Sequence, residues 1–554
     1  MLESVPAVVN RERIRTPRRN NQAVINPVRS ELVIRLERNR ERFQSGATPE
    51  WIRNLRFSVR REAWEMATRY ADTYLAPSKR SALSSQAAVR DAPWILGGHQ
   101  PELFHAGVWF KNFLIDSVAK ETEGLGFHCI VDHDLARSTA IKAPCRDESS
   151  QRIVPRSVPL PLQTHSGPIP PWHDTQVDLQ GLNPFQEEVD RLLQSVGIHR
   201  SLVQSFVQRM RSQPSPLDAA RAFSQFRHAL EQRAGLTNLD LPMSDLCSGM
   251  AWHEFLYHCF NRAEELHRIY NQSLAEYRER EGITNAGQPV ASLGRIDDWI
   301  EMPFWLYDTE SPTRQRMWMC RRGQEWWLAS GTSPLAPLWT LHWPIHATDS
   351  AMAWQSHVAC GLRIRPRALM TTLFLRCFAA DLFVHGIGGG VYDRLTDDII
   401  RQFLEIEPPE FVICTATMWL PMEDRESSRS TEDPLLSEPA LQREEQWLRS
   451  RPETFLDRSQ PMQRELAEAH AALLAAMPPR GQKRAWHHQM VHLKNRISDA
   501  VSGRRAALGQ RRHDLEQRVQ ELRWLESREY AFVLYEESDV VHRLAALVQS
   551  TQAE

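Results

Sequence analysis

The sequence predicts an α/β fold: a parallel, doubly wound sheet with helical insertions, followed by a C-terminal coiled coil. Three observations carry this expectation. A strand, glycine turn, helix and second strand follow one another between Trp94 and Asp134, and the same rhythm returns between Arg367 and Thr415. An apolar seam with steps of three and four then runs from Met490 to Leu522. A strand-helix-strand unit is the building block of parallel sheets, and such a seam is the mark of paired helices.

The chain has 554 residues, or three to four units at about 150 residues per domain. With 42% hydrophobic and 25% charged residues it has the composition of a globular protein and not of a disordered one. Its 67 basic and 69 acidic side chains nearly cancel, which argues against a dedicated binder of nucleic acid or anionic membrane. The best apolar stretch, Leu373–Val384, is broken by Arg376 and Asp381, so no membrane span is expected. The N-terminal run has no signal-peptide core. Eight scattered cysteines without a CxxC pair read as reduced thiols of a cytoplasmic protein.

In chain order, residues 1–90 read as an Arg-rich arm leading into helices that end near Tyr74, with a turn-rich stretch at Pro77–Asp91. Residues 91–150 hold the first half of the core. Trp94–Gly97 is a short strand, and Val108–Glu121 sets Trp109, Phe110, Phe113, Leu114 and Val118 at helical spacing. Gly124 and Gly126 stop that helix before the strand Phe127–Val131. Residues 151–300 read as a helical insertion. After a Pro-rich link its helices fall at Phe185–Val196, Leu202–Arg211, Leu217–Arg233 and Ala251–Arg280. Alternating aromatics in 301–361 predict a small antiparallel segment. Residues 362–421 complete the core. They hold a helix at Arg367–Ala379, a strand at Leu382–Val384, a glycine turn at Gly386–Gly390, a further helix and the strand Phe411–Thr415. A polar linker at 422–460 precedes the terminal helices of 461–554. The run from Trp486 to Glu529, as one helix, would be about 60 Å long, and its uncovered stripe predicts a homodimer.

Three constellations hold chemistry. The first is the turn from Gly97 through Gly98, His99, Gln100, Phe104 and His105 to Gly107, with Lys111 one turn into the helix. Glycines ending a strand before a helix N-terminus present free N–H groups to a phosphate or carboxylate. His99 and His105 flank it as donors to that anion or to an oxyanion. The second is Asp132-His133-Asp134 at the next strand's carboxyl end, where α/β ligands bind. His133 is the candidate base there, with Asp132 and Asp134 orienting it or holding a substrate amine. Strand alternation separates these residues from His128 and Cys129, so no metal is assigned. The third runs from His385, Gly386, Gly388 and Gly389 to Tyr392 and Asp393, a second anion-cradling loop closing the same cleft. Val391 breaks the G-x-G-x-x-G pattern, which argues against a nicotinamide or flavin dinucleotide. The aromatics at 304–339 read as core.

With these motifs in this order, the sequence resembles the bacillithiol biosynthesis cysteine-adding enzyme family. Gly98-His99-Gln100, Leu103-Phe104, Gly107 and Lys111 match its first motif, with His99 in place of a glutamine and Val108 in place of a proline. Asp132-His133-Asp134 match its second, with Val131 in place of an acid, and Gly386–Asp393 match its glycine loop loosely. The resemblance implies a Rossmann-like core related to class I nucleotidyltransferases and a coiled coil used for dimerisation. It implies a ligase-like enzyme that joins cysteine or a related amino acid to an amine-bearing small molecule in low-molecular-weight thiol biosynthesis. ATP or another nucleotide is the cosubstrate expected from the fold analogy. The alternatives are another nucleotidyl-transfer enzyme on the same core and a non-catalytic coiled-coil assembly protein.

Overall fold

Six strands gathered from distant parts of the chain form the central sheet: β1 (Gln22–Asn26), β2 (Trp94–His99), β3 (Leu125–Ile130), β4 (Leu239–Pro242), β5 (Leu382–His385) and β6 (Phe411–Thr417). Their order in space is β1-β6-β5-β2-β3-β4. β2 to β6 run parallel, and β1 lies antiparallel along β6. The computed structural model describes residues 14–75, 91–163, 167–309, 313–323, 325–334, 339–342, 354, 361–423 and 434–552. Apart from Asp91, the expected turn-rich stretch Pro77–Asp91 lies outside the described residues.

Strand alternation divides the core in two. On one face Ile95, Val384, Val412 and Cys414 pack with Phe110, Leu114 and Val118 of α1 (Ala106–Glu121). On the other, Trp94, Leu96, Phe127 and Leu241 pack with the helices Glu50–Asp72 and Met250–Asn261 and with Leu395 and Ile399 of α2 (Ile387–Ile399). The strand order reverses between β2 and β5, which pair through Leu382 with Ile95 and Val384 with Gly97. Connections leaving two neighbouring strands in opposite directions open a crevice at their carboxyl ends. At the amino ends, buried Asp381 accepts the Trp94 N–H at 2.7 Å and is paired with Arg56 and Arg60.

Several expectations are corrected. β4 lies within the segment read as a helical insertion, and β1 within the region read as an arm. At four and five residues, both are too short to show a period. A hairpin, Ala140–Arg146 with Ile153–Pro159, straddles the boundary between the first core half and the insertion, and the insertion's last helix breaks at Arg262. The aromatic segment forms an antiparallel sheet that takes in Arg363–Pro366, a strand read into the second core half.

The C-terminus differs most. The expected linker contains α3 (Pro434–Ser450). The single long helix is two, α5 (Arg484–Ala500) and α6 (Ser502–Leu525), parted at Val501, with α4 (Pro461–Ala475) before them. Leu466 of α4 packs against Leu493 and Ile497, and Leu441 and Leu448 of α3 pack against Val501 and Leu508. The seam that predicted a homodimer is therefore covered here by the chain's own helices. Beyond Leu525 the chain returns to the core, where Phe532–Leu534 is buried and Glu537–Gln552 lies along α1 and β1. No helix among the described residues is long and apolar enough to cross a membrane.

Candidate functional site

A cleft of about 600 Å³ opens at the carboxyl ends of β2 and β5. Its walls are the turn into α1, the residues after β3, the first turn of α2, the aromatic sheet and the segment after α6. Both glycine turns thus face one crevice.

One pole of the cleft favours an anion. Gly386 caps α2, so the N–H groups of Ile387, Gly388 and Gly389 belong to the first turn, which has no intrahelical acceptors. A Cβ on Gly386 or Gly388 would meet nothing within 4 Å, so their backbone borders open space. Gly389 instead presses on the His385 ring and Gly390 on Ile413. Lys111 is buried, and its Nζ donates to the Gly98 carbonyl at 2.7 Å. Burial pulls its pKa down to about 8. Arg528 donates from Nη2 to Thr415 Oγ1 at 2.7 Å and pairs through Nε with the exposed Glu529 at 3.3 Å, while its Nη1 is buried without a hydrogen-bond partner. A buried guanidinium nitrogen left unpaired beside a helix N-terminus is a donor set for a phosphate or carboxylate.

The histidines are neutral hydrogen-bonding groups. His105 caps α1, its Nδ1 accepting the Gly107 N–H at 3.1 Å, so Nε2 carries the ring proton. Burial, and then Arg528, takes its pKa down to about 3. His99 sets Nδ1 3.1 Å from the Gln100 carbonyl, and burial and Lys111 bring it to about 3 as well. His133 is buried with Nδ1 unpartnered, and burial and Arg314 lower it to about 3. His385 Nε2 lies 2.6 Å from Asp393 Oδ2, an oxygen that also takes Arg376 at 2.7 Å. Burial works against the Asp393 carboxylate, but Arg376 and His385 outweigh it and hold its pKa well below the usual range.

At the other pole Asp134 accepts Gln100 Nε2 and the Leu135 N–H, both at 2.9 Å, and pairs with Arg314 at 2.7 Å. Trp305 lies between two guanidinium groups, Arg314 at 4.7 Å and Arg367 at 4.4 Å from its ring centre. Asp134 balances the charge of Arg314 and Glu301, at 2.7 Å, that of Arg367, so Trp305 is an aromatic wall held by two ion-paired arginines.

The sequence-predicted residues divide. His99, Gln100, His105, Gly98, Gly107, Lys111, His133, Asp134, His385, Gly386, Gly388 and Gly389 border the cleft. Asp132 does not orient His133: its carboxylate accepts the Ser244 N–H at 2.8 Å and the Ser244 hydroxyl instead. Gly97 and Gly98 serve packing, since a Cβ on Gly98 would stand 2.6 Å from the Cys129 carbonyl and one on Gly97 2.9 Å from that of Val384. Gly107 likewise lets α1 approach Ala416. Phe104 packs against Phe532 with the two rings tilted by 49°, and Tyr392 is 45% exposed outside the cleft. Asp393 acts from behind, through His385. Sequence reasoning missed Arg314, Thr415 and Arg528, and it read Trp305 as core. No motif in the sequence marks these positions, which the fold brings to the cleft from three distant segments. Compared with protein-family models and with curated proteins, the chain gives no match.

Proposed function

We propose that the chain is a small-molecule enzyme on a Rossmann-like core, an amide-forming ligase that joins cysteine or a related amino acid to an amine. The convergence of Lys111, the unpaired Arg528 nitrogen and the open first turn of α2 on one crevice carries this conclusion. The short motifs shared with the cysteine-adding family supply the substrate class.

In this reading the amino acid's carboxylate attacks a phosphorus of the nucleotide, a carboxyl O–P bond forms as the phosphoanhydride P–O bond breaks and the displaced part of the nucleotide leaves, and the phosphate now on the carboxyl rests on Arg528 and the N–H groups of Ile387–Gly389. The acceptor amine attacks the carboxyl carbon, the C–N bond forms and the C–O bond to phosphate breaks, its electron pair leaving with the phosphate. A base must take the amine proton. His133, with a pKa of about 3, is too weak for this near neutral pH. Lys111, at about 8, has roughly a tenth of its population neutral at pH 7 and takes that role. His133 Nδ1 accepts a hydrogen bond from the incoming amine, and the Asp134–Arg314 pair borders it.

The test is to incubate purified protein with ATP, cysteine and a panel of amines, following nucleotide turnover and new thiols by mass spectrometry. Turnover that needs both cysteine and an amine is expected, with Lys111→Ala lowering it by about 10²–10⁴-fold. Nucleotide turnover without an amide product would instead identify a nucleotidyl-transfer enzyme. No turnover with any amino acid would overturn the ligase assignment.

A further inference from the structure

At the amino ends of β2 and β5, opposite the cleft, lies a second cavity of about 310 Å³ lined by Arg40, Arg53, Arg56, Arg60 and Arg61 and by Asp91 and Asp381. Part of this charge is structural. Arg56 and Arg60 neutralise Asp381, and Arg56 also donates to the carbonyls of Cys377 at 3.0 Å and Ala380 at 2.9 Å. Arg40 donates to the Asp91 carbonyl at 2.8 Å and pairs with Glu37 at 3.5 Å, which leaves two guanidinium groups. Arg53 donates only to the carbonyls of Ser45 and Thr48, and Arg61 makes no hydrogen bond or ion pair among the described residues. Arg60 keeps a buried Nε with no partner.

Arg53 and Arg61 thus bring to the cavity two guanidinium groups with no carboxylate within ion-pair distance among the described residues, and like charges there repel. Arginine forks match phosphate oxygens in pairs, and an anion in the cavity would relieve that repulsion. The cavity also has an apolar side, where Phe57 is 46% exposed beside Trp64. Bare phosphate has no use for such a surface, whereas a flat heterocycle does. We propose that this cavity is a second ligand site that takes a nucleoside di- or triphosphate, with its phosphates on Arg53, Arg60 and Arg61 and its base against Phe57 and Trp64.

The site is distinct from the cleft but joined to it. Asp381 precedes β5, whose last residue, His385, borders the cleft. It also holds the first N–H of β2, whose far end carries Gly98 and His99. A ligand on Arg60 therefore bears on the two strands that frame the cleft, about 13 Å away along β5.

Isothermal titration of the full chain with ATP, tripolyphosphate and adenosine tests this. Arg53→Ala/Arg61→Ala is expected to lose one class of ATP site, at least tenfold in affinity, while Arg528→Ala keeps it. Tripolyphosphate should compete for that site more weakly than ATP, and adenosine alone should bind far more weakly. Arg61→Glu, at an exposed position, repeats the test should the double variant melt early. Unchanged ATP binding in the Arg53/Arg61 variants, or no ATP binding to the wild-type chain, would overturn the site. Tripolyphosphate binding as tightly as ATP would overturn the nucleotide assignment.

Discussion

Burial takes Lys111 from an ordinary pKa of 10.5 to about 8, because its ammonium leaves water and, among the described residues, gains only the Gly98 carbonyl as a hydrogen-bond partner. The unfolded chain keeps the proton up to about pH 10.5 and the folded chain releases it near 8, so stability rises with pH through that window. The charged lysine destabilises the fold by about 3 kcal/mol below pH 8. Lys111→Met is therefore expected to be more stable than wild type by about 2–3 kcal/mol at pH 7, an advantage that fades between pH 8 and 10.5. Urea titrations across that range check it. The same pKa sets the rate profile. If neutral Lys111 is the base, kcat/KM should rise about tenfold per pH unit up to pH 8 and then level off. His99, His105 and His133, near 3, add no step around pH 6–7. A step at pH 6.5 that survives Lys111→Ala would remove lysine from the role.

At the scale of one element, α2 shows how identical residues divide their work. Gly388 and Gly390 both look like parts of one cradle in the sequence. In the fold Gly388 borders open space, whereas a methyl on Gly390 would fall inside Ile413 of β6. Gly388→Ala should leave stability unchanged or raise it by up to about 1 kcal/mol, since alanine favours a helix. Its methyl nonetheless stands in the cleft, so ATP affinity should fall. Gly390→Ala should cost about 1–3 kcal/mol through overpacking. Thermal melts with and without ATP separate the two. The distinction is invisible in the sequence because it depends on which side of α2 meets β6.

Over the whole molecule, the arm of α3 to α6 is packed by its own two clusters as far as Leu515, and only the end of α6, through Leu522 and Leu525, joins the core cluster. Ile497 is fully buried between α4 and α5. Ile497→Ala should cost the arm about 2–4 kcal/mol. Hydrogen exchange should then quicken across residues 461–515 and stay slow in β2 and β3, because opening is local where contacts are local. Exchange that quickens equally in the core would mean that the two unfold together.

What the sequence determined by itself is what local pattern can encode. The units β2-α1-β3 and β5-α2-β6 were legible because strand length, helical spacing and glycine stops all act within a few residues. That both glycine turns face one crevice followed from the parallel pairing of the two units, since such turns sit at carboxyl ends. Tertiary structure decided the rest. The strands β1 and β4 exist through pairing with distant partners. Asp132 turned to Ser244, and Trp305 came to lie between Arg314 and Arg367. Arg528 reaches the cleft because the chain returns to the core after α6, and α3 and α4 cover a seam that looked unpartnered. A sequence displays an apolar stripe or a charge, but what covers the one and pairs the other is set by contacts between residues far apart in the chain.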